Sequence, residues 1–353
     1  MLPTTLTEKI HTIAPSNMYT PARWWKPLEN GKILCTLCPR YCKIGSGQSG
    51  FCFIRQHIDG KLITQGYGHP TGFAIDPVEK KPLNHFLPGT SILSFGTAGC
   101  NLGCKFCQNW SISKARMDEM NALDASPEDV VRLALKHRTP SIAYTYNDPT
   151  IFAEYVIDIS RLAREEEIKS VMVTSGYIDR EARKDVYRYI DAANVDLKAF
   201  SERFYNKITF SHLADVLDTI KWLKEDTGVW VELTNLIIPD ENDETDEISR
   251  MCDWILENLG DSTPLHFTAF HPDFKMRDKH ATPAETLLTA RKMALKKGLK
   301  YCYVGNILDS EGQATFCPEC RTKVIERNWH TVKSQNLDHG RCRNCGHRID
   351  GVF

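Results

Sequence analysis

Residues 91–110 read SILSFGTAGCNLGCKFCQNW, with Cys100, Cys104 and Cys107 in the spacing C-x3-C-x2-C. The apolar run from Ile92 to Phe95 has the length of a buried strand. Gly96, Gly99 and Gly103 interleave the loop that follows, and residues without a Cβ let a backbone fold tightly round a bulky object. Three thiolates in one loop hold three irons of a four-iron cube and leave the fourth iron without a side chain. An open coordination position is what a catalytic metal site keeps for a small molecule. A zinc loop, or three unrelated structural cysteines, is the plainer alternative.

With 353 residues, the chain can hold one large domain with small appendages, or two ordinary ones. A formal net charge of −1 argues against a chain devoted to nucleic acid. No apolar run approaches membrane-spanning length, and the opening MLPTTLTEKIHTIAPSN has no apolar leader core. A soluble, cytoplasmic protein is expected. Of thirteen cysteines, eleven fall into three close clusters and only Cys252 and Cys302 stand alone. Clustering without a secretory leader favours metal binding in a reducing compartment over disulfides. The two lone cysteines sit in apolar stretches and read as packed residues.

The first cluster, in CTLCPRYCKIGSGQSGFCFIR at 35–55, comprises Cys35, Cys38, Cys42 and Cys52. Four thiolates close a site, so a structural zinc or an auxiliary iron–sulfur cluster is expected. Spacing does not choose between them, and zinc is the simpler assignment. DPVEKKPLNHF follows at 76–86, where the prolines give an extended or turning connection rather than a helix. Taken alone, Lys80, Lys81 and His85 read as a solvated turn.

From 91 to about 305 strand-like and helix-like runs alternate. Strands are predicted at 91–95, 141–146, 169–174, 193–198, 229–238, 264–270 and 300–304. Amphipathic helices are predicted near 127–138, 150–165, 179–190, 211–225, 243–259 and 284–297. Ser126-Pro127-Glu128 is a helix start, with a capping hydroxyl, proline at the first position and acid near the positive end of the dipole. Thr282-Pro283 before Glu285 repeats the pattern. Such alternation gives an α/β fold with a parallel sheet; the count suits a partial or nearly closed βα (TIM-like) barrel, with chemistry on the loops after the strands. In those loops Asn147-Asp148-Pro149 makes either a helix cap or an acceptor for a ligand ammonium, and Thr174 and Ser175 offer hydroxyls. Asp196 and Lys198, two apart on a strand, point to one face. An inward pair of opposite charges suits a structural ion pair or a clamp for a zwitterionic amino acid, and the clamp is favoured. Thr268 and His271 end the next-to-last strand, although a packed or exposed histidine is the plainer reading of His271.

After 310 the alternation stops. Cys317-x2-Cys320 and Cys342-x2-Cys345, separated by 21 residues, read as a zinc ribbon, with rubredoxin-like iron as the minor alternative. The segment is too short for its own core, so metal would supply folding energy. Arg321, Lys323, Arg327, Lys333, Arg341, Arg343 and Arg348 make it basic, a solvated surface by default and a docking face for RNA or an acidic partner at most. Three regions are therefore expected: an N-terminal extension (1–90), a βα barrel (91–310) and a ribbon-like module (311–353).

Taken together, CTLCPRYC, DPVEKKPLNHF, GTAGCNLGCKFCQNW, TYNDPTIFAEY, VTSGY, NVDLKAF, TAFHPDF and YVGN resemble the radical S-adenosylmethionine (SAM) member of the AmmeMemoRadiSam system. The family is also similar to the pyruvate formate-lyase activating enzymes. The resemblance implies a [4Fe–4S] cluster on Cys100, Cys104 and Cys107, SAM on its open iron, and a barrel fold; Phe106 before the last cysteine also matches. It implies that Asp148 lies where relatives contact the SAM amino group, and that Asp196 and Lys198 match a D-x-K pattern near the SAM carboxylate. Asn147, Thr174, Ser175, Thr268 and His271 join these as cofactor contacts. Lys80, Lys81 and His85 become candidates for a substrate-facing lip. Activases commonly have aspartate at the position of Val173, so no comparable cation site is implied. The implied partners are a reductant such as flavodoxin or ferredoxin, and Memo-like and AMMECR-type proteins. The expected function is reductive cleavage of SAM to a 5′-deoxyadenosyl radical that abstracts hydrogen from an unidentified substrate, glycyl-radical activation being one form. The alternatives are a catalytically inactive iron–sulfur and zinc scaffold and, third, a nucleic-acid-binding module.

Overall fold

The computed structural model describes residues 19–353. The stretch read above for a secretory leader lies outside the described residues. The chain divides into two compact units, one running to Asp76 and from Ile92 to Asp191, the other comprising Pro77–Ser91 and Ala192–Phe353.

In the first unit, strands β1 (Ser91–Phe95), β2 (Ser141–Tyr144) and β3 (Lys169–Thr174) run parallel. Ser141 of β2 lies opposite Ile92 on one side and Lys169 on the other. All four residues of β2 are buried, as expected for a strand covered on both faces. Helices α1 (Pro127–Lys136), α2 (Ala153–Glu165) and α3 (Arg180–Val186) follow the strands in turn. Helix α1 starts as the sequence predicts: the Asp129 amide donates to Ser126 Oγ at 3.2 Å, and the Ser126 amide donates back to Asp129 Oδ2 at 3.0 Å. The residues before Asp76 add two small antiparallel sheets, built on 20–21, 55–58 and 61–64 and on 25–27, 33–35 and 43–44.

The second unit repeats the parallel theme with β4 (Ala192–Asp196), β5 (Trp230–Ile237), β6 (Leu265–Ala269) and β7 (Cys302–Val304). Helices α4 (Leu213–Asp226), α5 (Thr245–Leu259) and α6 (Ala284–Lys297) connect them. Among the described residues nothing pairs with the far edge of β7, so these strands do not close into a barrel. Cys252 and Cys302 are packed as expected, 0% and 3% exposed. The start of α6 differs from expectation. Pro283 occupies the cap position without a side-chain bond, because the Thr282 hydroxyl is used elsewhere: it donates to Ile237 O at 2.6 Å and accepts from the Phe270 amide at 3.0 Å.

The tail after Ala314 forms a three-stranded antiparallel sheet and a hairpin. Its Cys317, Val324, Ile325, Cys342 and Ile349 share one apolar cluster with Tyr301 and Tyr303 beside β7. A segment too short for its own core thus completes one with a neighbour. Arg327 is a correction to the basic-surface reading. It is only 3% exposed and donates to Gln313 O, Thr315 Oγ1 and Asn84 O, so it ties the tail inward.

His85 is a second correction. It does not sit in a solvated turn, because it is fully buried with both ring nitrogens bonded inside the unit. Nδ1 donates to Asp350 O at 2.6 Å, which leaves Nε2 to accept from the Tyr303 hydroxyl at 2.5 Å. Tyr303 in turn meets Thr315 Oγ1 at 2.9 Å, and Arg327 donates to that hydroxyl. The hub beside this chain is Glu232 on β5, 0% exposed. It accepts from the amides of Asn84 and His85 at 2.9 and 2.8 Å and from Trp230 Nε1 at 3.1 Å, and it meets His266 Nε2 at 2.7 Å. Lys81 is buried in the same segment, whereas Lys80 is exposed.

Burial pushes the His85 pKa down to about 4. Burial alone would raise that of Glu232, but the hydrogen bond and charge of His266 and its neighbours hold it at about 2. Unfolded, His85 takes its proton near pH 6.5. Its contribution to stability is therefore complete above that pH and lost as the pH falls towards 4, while that of Glu232 persists to lower pH. Thermal unfolding should show the Tm falling between about pH 6.5 and 4, and a shallower fall in His85→Gln. Parallel slopes in the two proteins would place the acid sensitivity elsewhere.

Candidate functional site

Strand β1 delivers the chain to Gly96, where a Cβ would sit 2.5 Å from Thr145 O and 2.8 Å from Asn147 Oδ1. At Gly99 φ is +82° and a Cβ would collide with the Cys52 carbonyl, so only glycine fits both the torsion and the space. The Asn147 amide grips the backbone between them. Its Oδ1 accepts from the Thr97 amide at 3.2 Å, and its Nδ2 donates to Thr97 Oγ1 at 3.2 Å and Gly99 O at 2.8 Å. Beyond Cys100, Asn101 Nδ2 donates to Tyr177 O at 2.8 Å and Arg40 Nε donates to Asn101 O at 2.6 Å. Lys114 Nζ reaches back to Leu102 O at 2.6 Å. The cysteine loop is thus held by side chains from several segments rather than by its own turns.

Cys104 is buried, and Cys100 and Cys107 are half-buried. The Leu102 amide donates to Cys100 Sγ at 3.4 Å, and Cys107 Sγ lies 3.1 Å from Ser113 Oγ. Burial, and then the nearby Asp148 carboxylate, push the Cys100 thiol pKa up, so binding a cation there would have to release its proton. The donor set fits a polynuclear centre. Among the described residues, Cys317, Cys320, Cys342 and Cys345 are the group whose ligand atoms all lie within 4.8 Å of one another; the sulfurs of the 100–107 loop are not drawn to that single-ion spacing.

Asp148 is a cap. Its carboxylate accepts from the Thr150 amide at 3.0 Å, the Ser175 amide at 2.8 Å and the Thr174 hydroxyl at 3.2 Å, and from the Ser175 hydroxyl as well. A carboxylate has about four acceptor sites, and here the protein fills them. Asp148 thus caps the turn at 149–152, one of its two expected readings, and the same carboxylate holds Thr174 and Ser175. Asn147 likewise braces the loop. Phe106 is buried.

In the second unit, β4 ends at Asp196, so Lys198 lies just beyond the strand rather than on it. The two side chains nevertheless pair, Nζ to Oδ2 at 2.7 Å, both partly accessible. Thr268 is half-buried on β6, its methyl beside Gly305, and His271 is exposed.

The other two cysteine clusters differ in geometry. In the tail, Cys317 and Cys345 approach to 3.6 Å, and Cys320 and Cys342 to 3.7 Å. Tetrahedral Zn–S bonds of about 2.3 Å place sulfurs about 3.8 Å apart, so this site suits one metal ion. Cys35, Cys38, Cys42 and Cys52 instead line one common cavity. Burial raises the pKa of Cys38 and lifts that of Cys52 to about 12. The wall includes Arg55, which the sequence reading missed. It is 1% exposed and forms an ion pair with Glu154 at 3.0 Å. A pair 99 positions apart leaves no local signal.

Residues 95–252 match the model of the radical SAM superfamily. An uncharacterized protein of Methanocaldococcus jannaschii is 44% identical over 334 residues, covering 94% of this chain and 99% of that one. The pyruvate formate-lyase-activating enzyme of Clostridium pasteurianum is 22% identical over 222 residues, 57% of this chain and 87% of its own. A radical SAM methyltransferase from Sphaerobacter thermophilus has a similar fold, with a TM-score of 0.51 at 16% identity over 86% of this chain and 82% of that one. The chain belongs to the radical SAM superfamily. No helix among the described residues is long and apolar enough to cross a membrane.

Replacing Asn147 by Ala strips the partner from the buried Thr97 amide, and should cost about 1–3 kcal/mol in chemical denaturation and lower the iron retained on reconstitution. Unchanged stability and iron content would mean that the loop holds its shape without this amide.

Proposed function

We propose that this protein is a radical SAM enzyme in which Cys100, Cys104 and Cys107 hold a [4Fe–4S] cluster. When bound, such a cluster supplies the electron that cleaves the sulfonium of SAM and yields a 5′-deoxyadenosyl radical for hydrogen abstraction. The observation that supports this most directly is the preformed loop. Gly99 and Asn147 shape the backbone that leads into it, and its three sulfurs are not collapsed to single-ion spacing. The chain's own tasks are to hold these sulfurs, to release their protons and to keep the site closed to water. Cys104, the most buried of the three, serves the last most directly.

Within this reading, Asp196 and Lys198 are our candidates for the methionine end of SAM. A carboxylate and an ammonium held side by side can exchange partners with a zwitterion of the same two charges. The finer assignment to the AmmeMemoRadiSam group, with Memo-like and AMMECR-type partners and a flavodoxin- or ferredoxin-type reductant, rests on the motifs quoted above. So does activation of a glycyl-radical protein, which would be one instance of the same hydrogen abstraction. The ribbon site in the tail is proposed to hold zinc, on the strength of its sulfur spacing.

In anaerobically reconstituted protein given SAM and a strong reductant, Cys104→Ala should abolish 5′-deoxyadenosine formation; undiminished formation would refute the assignment. Lys198→Ala should keep its iron and raise the KM for SAM about tenfold, equivalent to ~1.4 kcal/mol. An unchanged KM would make the pair a structural one.

A further inference from the structure

The N-terminal cysteines take part in nothing described so far. We propose that Cys35, Cys38, Cys42 and Cys52 bind a second [4Fe–4S] cluster, fully ligated by the protein, in the cavity they line. The inference stands apart from the radical SAM reading, because it rests on other residues.

Three observations carry it. The first is convergence. Four cysteines spread over 18 residues line one cavity, and the cationic side chains of Arg40 and Arg55 share its wall, as suits a centre of net negative charge. The second is sulfur spacing, for which the chain contains its own reference. In the tail all four sulfurs lie within 4.8 Å of one another and form two close pairs. Among the described residues the N-terminal four do not form such a group, and no sulfur–sulfur hydrogen bond links any two of them. A single zinc or iron would gather all four sulfurs onto one centre. A two-iron cluster would gather them in pairs, each pair sharing an iron. A cube gives each sulfur its own iron and keeps all four apart. The observed arrangement matches the cube.

The third is an unmet donor. Arg55 lines the same cavity and is 1% exposed. Its two terminal nitrogens are bonded to Glu154 and to the Arg23 carbonyl, but Nε has no partner. A buried N–H without an acceptor costs about 1–3 kcal/mol. The sulfurs of an anionic cluster are acceptors of the right charge, and hydrogen bonds to them are among the factors that set a cluster's potential. The position adds interest: the Cys52 carbonyl abuts Gly99, the residue before Cys100, and Asn101 lines the cavity.

The test is metal and sulfide analysis with EPR of the dithionite-reduced full chain, reconstituted anaerobically with iron and sulfide. Wild-type protein should hold about eight irons, with zinc not exceeding one per chain. The Cys100→Ala/Cys104→Ala/Cys107→Ala variant should keep about four irons and a reduced-cluster EPR signal that SAM does not alter. Wild-type protein with about four irons and two zincs, together with a triple variant lacking iron, would overturn the proposal. Cys38→Ala provides the converse, losing about four irons while still cleaving SAM. If it does not fold, the triple variant decides alone. An iron-bearing triple variant alongside wild-type protein that leaves SAM intact would sink the proposed function and spare this inference. A triple variant without iron beside an active wild type would do the reverse.

Discussion

The primary amide of Asn147 shapes Thr97–Gly99, the backbone from which the 100–107 loop departs. Thiolates that bind a cluster with one open iron need a backbone already shaped before the metal arrives, because the ligands cannot close around it from every side. The amide supplies that shape by bonding donors and acceptors of Thr97–Gly99 together. Its neighbour Asp148 does the equivalent for residues 174–175 after β3. Two adjacent residues beyond β2 therefore fix the loops beyond the strands on either side. Interiors of this kind place reactive groups with small tolerance, because the supporting shell is itself hydrogen-bonded throughout.

The second unit relies on a different device, a buried carboxylate. Glu232 is stable in the interior only because four donors surround it; an unpaired charge there would be prohibitive. Those donors come from 84–85, 230 and 266, and the chain of hydroxyls through Tyr303 and Thr315 extends the grip to Arg327. Segments distant in sequence are thereby fixed in one register. Fully satisfied polar networks rigidify a core, whereas partly satisfied ones weaken it.

The parallel strands were readable because each is a short apolar run bounded by turn residues, and all seven predicted stretches overlap one. The helices were readable from amphipathic spacing, and the Ser126 cap from its side chain. Strand ends were less so: β4 stops at Asp196, since nothing in NVDLK marks where pairing ends. The cysteine clusters announced themselves through spacing. The roles of His85 and Arg327 did not, because polar residues look alike in sequence whether they face solvent or a buried partner. Their partners are long-range: Arg327 reaches Asn84 across 243 positions. The Arg55–Glu154 pair escaped notice for the same reason.

Cys317 and Cys342 belong at once to the four-sulfur site and to the apolar cluster with Tyr301 and Tyr303. The four-sulfur site and the apolar packing are therefore built from shared side chains in this region. Cys345, the exposed member of the set, is where peroxide would enter first. Its knuckle partner Cys342 packs with Tyr301 and Tyr303, so opening that knuckle would withdraw Cys342 from the wall beside Tyr303, whose hydroxyl bonds His85.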